Sequence, residues 1–183
     1  MTRKKKFNEE SIMKATEDLL LERGYDHFHF KALAERLEIS RSTIYEYYAN
    51  KEELIKAYMQ RVMNSIFVEL MEIESIESPL DQLKQLLNLF LRYYKIRHVF
   101  HSPEVVFSEN MQDMMKDLQK IREKIVEIIQ KGKKMGYFRS DIPEDLIVTL
   151  IFYTIEIPHL SPNGDMEATS EYLYKIYVEG IKN

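Results

Sequence analysis

Three observations predict an all-helical (all-α) fold. Apolar residues recur every three or four positions through most of the 183-residue chain, the repeat of one helix face. Capping signals punctuate these runs at Ser40, Asn50, Ser78 before Pro79, Ser102 before Pro103, and Pro143. No stretch alternates apolar and polar residues far enough to make a useful strand. About nine helices follow, with no internal repeat.

Taken in order, the first helix covers Glu9–Arg23. Glu9 and Glu10 fall in its first turn, where exposed backbone donors favour carboxylates. Ile12, Ala15, Leu19 and Leu20 keep helical spacing, and Gly24 stops the run. Phe30–Leu37 reads as a second helix, with Ala32, Leu33 and Leu37 directed to the core. Ile39 and Ser40 mark a corner, and Ser40 caps a third helix over residues 41–48. Ile44 and Tyr48, four apart, point inward, while Arg41, Ser42 and Tyr45 point outward on another face. A DNA-recognition helix needs that division: apolar residues fix its pose and polar ones reach the major groove.

Asn50 with Glu53 three residues on is a capping-box pattern. The helix it opens continues through Ile55, Tyr58, Met59, Val62, Ile66, Leu70 and Ile73, roughly 35 Å at 1.5 Å per residue. Ser78 and Pro79 begin the next helix, whose Leu83, Leu86, Leu87, Phe90, Leu91 and Tyr94 form more than one apolar stripe. A short or kinked helix over residues 104–110 follows Pro103. Residues 111–131 repeat Met114, Met115, Leu118, Ile121, Ile125, Ile128 and Ile129, and Gly132 and Gly136 are expected to break that pattern. Pro143 starts a nearly all-apolar helix over residues 146–158. The last helix, about residues 166–178, carries Tyr172, Leu173, Ile176 and Tyr177.

Composition bounds the function. The apolar fraction, 45%, is ordinary for a folded domain. No window nears 18 uninterrupted apolar residues, so no membrane partner is expected. The start, MTRKKKF then NEESI, is basic without an apolar segment behind it and does not read as a signal peptide. Cysteine is absent, which removes disulfides, thiolate catalysis and Cys-rich zinc sites and fits a cytoplasmic protein. Net charge is −4, yet residues 1–58 are neutral, with Arg3, Lys4, Lys5 and Lys6 as one positive run. Such a run reads either as a solvated end or, this close to a helix-turn-helix, as an arm for phosphate or minor-groove contact.

The segment GYDHFHFKALAERLEISRSTIYEYYANKEEL resembles the DNA-binding motif of TetR/AcrR-family transcriptional regulators. Gly24, Ala34, Ile39, Ser40, Thr43, Tyr45, Tyr48, Lys51, Glu52 and Leu54 carry the likeness, which extends over residues 8–58. GYFRSDIPEDL, residues 136–146, resembles the family's lead-in to its eighth helix. The resemblance implies a homodimer whose N-terminal domains bind a palindromic double-stranded DNA operator. Its C-terminal domains would dimerise through the last two helices and hold a small hydrophobic or amphipathic effector that releases the DNA. It implies a DNA-binding domain over residues 1–54, with the helix-turn-helix at about 29–48, and an effector-binding and dimerisation domain over residues 55–183. DNA contacts are expected from Arg3, Lys4, Lys5, Lys6, Arg41, Ser42, Thr43, Tyr45, Glu46 and Tyr47. Lys51 would meet a phosphate at the start of the fourth helix.

Three positions depart from the family pattern. His29 stands where Thr or Ser usually caps the second helix; imidazole can accept the same N–H but caps less well. Glu38 replaces the usual turn glycine, so the corner either avoids positive φ or carries strain. Glu46 puts a carboxylate in the recognition helix, where it either accepts from a cytosine N4 amine or pairs sideways with Arg41 or a neighbour.

In the second domain, effector-pocket candidates are Phe90, Tyr93, Tyr94, Phe107, Met111, Met114, Met115, Phe152, Tyr153 and Glu156, though most aromatic and methionine residues in such a set serve core packing. Glu156, between Ile155 and Ile157, needs a partner if buried: Arg97, His98, His159 or a cationic ligand. The expected dimer seam is Ile147, Leu150, Ile151 and Thr154 with Tyr172, Ile176 and Tyr177. His98, His101 and His159 lack close metal-ligand spacing, so no metal or other cofactor is expected. No nucleophile set, phosphate loop or HExxH is present, and the chain is not read as an enzyme. The alternative is a helical interaction module that keeps the fold without operator-specific binding.

Overall fold

A computed structural model describes residues 8–96, 111–160 and 166–182. Those residues form eight α-helices: α1 (Glu9–Arg23), α2 (Phe30–Leu37), α3 (Arg41–Tyr45), α4 (Lys51–Glu74), α5 (Pro79–Arg92), α6 (Met111–Lys134), α7 (Glu144–Tyr153) and α8 (Met166–Ile181). Two 3-10 turns, Tyr93–Ile96 and Thr154–Leu160, follow α5 and α7. The short helix expected over residues 104–110 lies outside the described residues. The chain divides into two compact units whose boundary falls within α4, between Val62 and Met63.

In the first unit, Asn8 and Ser11 form a reciprocal capping box at the start of α1. Ile12, Leu19, Phe28, Leu33, Ile44 and Leu54 are fully buried and hold the first four helices on one core. The turn after α2 resolves the question raised by Glu38: its φ is 56° and ψ 41°, left-handed geometry at a non-glycine residue.

The second unit is centred on α5, where Leu83, Leu86, Leu87 and Leu89 have no exposed surface. Gln82, also buried, fixes the α4–α5 turn by donating its amide to the carbonyls of Glu74 (3.0 Å) and Ile76 (2.8 Å). The last helix, α8, lies on α5 through Ser170, which donates to Asn88 Oδ1, and through a 2.7 Å Lys84–Glu171 ion pair.

Two sequence expectations change. Gly132 does not break α6, which continues to Lys134; a Cβ there would sit 2.2 Å from the Phe138 ring, so the glycine admits that ring. Gly136, with φ 78°, follows the helix end, and Tyr137 N–H bonds back to Gly132 C=O at 2.9 Å. The apolar run over residues 146–158 is not one α-helix either. Pro158 has no N–H for an α-helical bond, and the backbone tightens into the 3-10 turn after Tyr153.

Candidate nucleic-acid interface

The α2–α3 pair is built from its caps inward. His29 Nδ1 accepts from Ala32 N–H at 3.0 Å, so imidazole does supply the cap of α2. Ser40 Oγ accepts from Thr43 N–H at 3.2 Å and lies 2.7 Å from Ser42 Oγ and 2.9 Å from Thr43 Oγ1. Ile44 and Tyr48 are buried, and the Tyr48 hydroxyl donates to Glu9 Oε1 at 3.0 Å. The third helix ends at Tyr45 rather than at 48. Tyr47 N–H reaches Ile44 C=O, a bond one residue shorter than α-helical, and Asn50 then starts α4.

Between the buried pair, the expected reading residues stand outward. Tyr45 is 55% exposed and Tyr47 44%, and Arg41, Ser42 and Glu46 are exposed with them; Thr43 is half-buried. The Tyr45 ring is not loose: it meets Phe30 edge-to-face, centroids 5.0 Å apart. Arg36 on α2 is held by Glu22 and Asp18, and its guanidinium lowers the Glu22 carboxyl from its ordinary value mainly through their hydrogen bond. Arg3, Lys4, Lys5 and Lys6 lie outside the described residues.

Asn50 Oδ1 accepts from Glu53 N–H at 2.8 Å, and Glu53 Oε2 accepts from Ala49 N–H at 2.7 Å. The box therefore forms with its return bond one residue earlier than the usual pattern. Lys51 holds a contact that the sequence did not announce. Its Nζ donates to the Tyr25 carbonyl at 2.7 Å and lies 3.7 Å from the Tyr25 ring centroid.

In the second unit the pocket candidates differ in their surroundings. Phe90 and Phe152 meet edge-to-face at 5.0 Å, and Tyr93 donates to Glu69 Oε1 at 3.0 Å. Tyr94 and Glu156 are half-buried and Met114 is buried, but Met115 and Tyr153 are exposed. Met111 opens α6; Phe107, Arg97 and His98 lie outside the described residues. Among the described residues a cavity of about 260 Å³ sits between α4 and α6, lined by Met63, Asn64, Phe67, Asp117, Lys120 and Ile121, none of them among the expected pocket residues.

The seam candidates divide as well. Ile147 (1% exposed), Ile151 (0%) and Thr154 (0%) belong to the chain's own core, where the Thr154 and Tyr177 hydroxyls lie 3.3 Å apart. Leu150, Tyr172 and Ile176 are exposed. Leu146 and Tyr153 join Leu150 on one face of α7, at i, i+4 and i+7, opposite the buried residues. That spacing was available in the sequence, but a helix apolar on all sides does not say which stripe stays outside. Among the described residues no acid or histidine cluster is arranged for a metal, and no helix is long and apolar enough to cross a membrane.

Residues 12–58 match the sequence model of the tetR family of bacterial regulatory proteins. The chain is 23% identical over 161 residues to the HTH-type transcriptional repressor KstR2 of Mycobacterium tuberculosis, covering 82% of this chain and 80% of that protein. Its fold matches the solved structure of the M. tuberculosis ketosteroid transcriptional regulator KstR2 with a TM-score of 0.80, at 18% identity and 97% of each chain. Bacillus subtilis FadR in complex with stearoyl-CoA gives a TM-score of 0.75 at 18% identity, over 95% of this chain and 100% of that one.

Proposed function

This chain belongs to the TetR family of bacterial regulatory proteins, and on that premise we propose that it is a homodimeric, sequence-specific transcriptional repressor. It acts in the cytoplasm and leaves a palindromic operator when a small hydrophobic or amphipathic effector binds. One observation carries the DNA-reading part: Tyr45, Glu46 and Tyr47 project outward while Ile44 and Tyr48 on either side are buried. Two largely exposed tyrosines at the end of a short, internally anchored helix and just beyond it suit a groove surface. In a two-fold dimer the α3 segments enter major grooves about one turn, ~35 Å, or somewhat more apart.

Reading is assigned to residues 1–54, and effector binding and dimerisation to residues 55–183. The seam between copies draws on the exposed Leu146, Leu150 and Tyr153 of α7 with Tyr172 and Ile176 of α8. Two relatives, a ketosteroid regulator and FadR with its stearoyl-CoA, support an effector with a large apolar part. Such a ligand need only favour the conformation unfit for DNA; an affinity ratio of 100 shifts the equilibrium by about 2.7 kcal/mol.

The deciding experiment compares binding to the chain's own upstream region with binding to random duplex over a range of salt. Operator-specific retention is expected, with affinity falling as salt rises. Equal weak binding to both duplexes would indicate an architectural role, and no binding would leave an interaction module.

A further inference from the structure

Between the two exposed tyrosines, Glu46 is the C-cap of α3 and an exposed carboxylate. Its N–H bonds Ser42 C=O at 3.1 Å, so the residue keeps helical register and stands one turn beyond Ser42 on the outward face. The carboxylate meets no cation and accepts no hydrogen bond among the described residues, Arg41 included. The helix end gives it no support either, since exposed carbonyls there disfavour negative charge. The hydroxyls beside it are already engaged: Ser42 and Thr43 both lie within hydrogen-bond distance of Ser40 Oγ.

Resting on the DNA-reading role above, we propose that Glu46 is a specificity-determining residue whose carboxylate accepts a hydrogen bond from a cytosine N4 amine in each half-site. Phosphates repel a carboxylate, so only a donor on a base edge makes this position favourable in a groove. The major groove offers two such donors, adenine N6 and cytosine N4. Adenine places its N7 acceptor beside N6, opposing the second carboxylate oxygen; cytosine presents the amine alone. Glu46 therefore acts in two senses at once. It weakens attraction to every duplex through its charge and restores binding where cytosine is correctly placed.

The test is site selection from a random duplex pool, then quantitative competition, using the full chain and its Glu46→Ala and Glu46→Gln variants. The wild type is expected to select one C·G pair per half-site whose replacement lowers affinity about tenfold. Glu46→Ala should erase that preference alone and bind unrelated duplex about threefold tighter at low salt. Glu46→Gln should move the preference to A·T, because an amide can accept from N6 and donate to N7. If Glu46→Ala keeps every wild-type base preference and only gains general affinity, the carboxylate is merely repulsive; the inference falls while DNA reading stands. If the wild type selects no site, both fall together.

Discussion

The hydroxyl of Tyr48 donates a 3.0 Å hydrogen bond to Glu9 Oε1, fastening the end of the reading segment to the first turn of α1. Burial first, and then this bond to a carboxylate, raise the phenol pKa well above its ordinary 10.0. A raised folded-state value means the contribution is complete below pH 10.0 and is lost as pH climbs towards the folded value. Denaturant titrations should show stability falling above that point. Tyr48→Phe should lose about 1 kcal/mol at neutral pH and flatten the alkaline fall. Tyr177, also raised by burial, leaves a residual slope. An alkaline fall identical in Tyr48→Phe would show that this bond does not govern it.

Glu38 occupies left-handed backbone that glycine adopts freely. Removing the Cβ conflict gains about 1–2 kcal/mol, and the added freedom of the unfolded chain returns part of it. Glu38→Gly is expected to stabilise the protein by about 0.5–1 kcal/mol, read as a higher urea midpoint with unchanged slope. A lower midpoint would mean that the side chain contributes more than its backbone costs.

Lys51 bonds the Tyr25 carbonyl, a charge-assisted contact that joins the α1–α2 connection to the start of α4. Lys51→Ala should therefore destabilise the chain by about 1–2 kcal/mol and weaken binding to all duplexes alike. Thermal melts and competition binding measure the two effects separately. A change confined to operator preference would rule out the phosphate role expected of Lys51 from the family resemblance.

Leu150 and Ile151 are adjacent on α7 but differ in surroundings, one 46% exposed and the other fully buried. Leu150→Glu is expected to give a folded monomer by light scattering, with helicity retained. Ile151→Ala should keep the dimer where folded but cost about 2–4 kcal/mol of stability through the cavity it leaves. Dimeric Leu150→Glu at micromolar concentration would place the seam elsewhere.

Local signals made much of this molecule readable from its sequence. Asn50, Ser40 and Ser78 announce helix starts because a cap needs only its own next three residues. The inward Ile44 and Tyr48 followed from spacing alone. What stayed hidden depends on distant partners. Gly132 read as a helix breaker because its reason, the Phe138 ring, is supplied by a later turn. Lys51 gave no sign of Tyr25, whose acceptor is a backbone carbonyl without a residue signature. The two faces of α7 could not be separated because both are apolar, so the seam candidates mixed core with surface.

The placement of Ile44 and Tyr48 bears on how such a protein changes its target over generations. Both anchors are buried, and the three side chains between them are exposed. Substitutions at 45, 46 and 47 thus leave the hydrophobic interior untouched, apart from the Tyr45 ring resting on Phe30. Apart from Tyr45, folding and recognition are written in neighbouring but separate letters. A lineage can therefore change its binding sequence by a single exchange at 46 while Ile44 and Tyr48 keep their buried places.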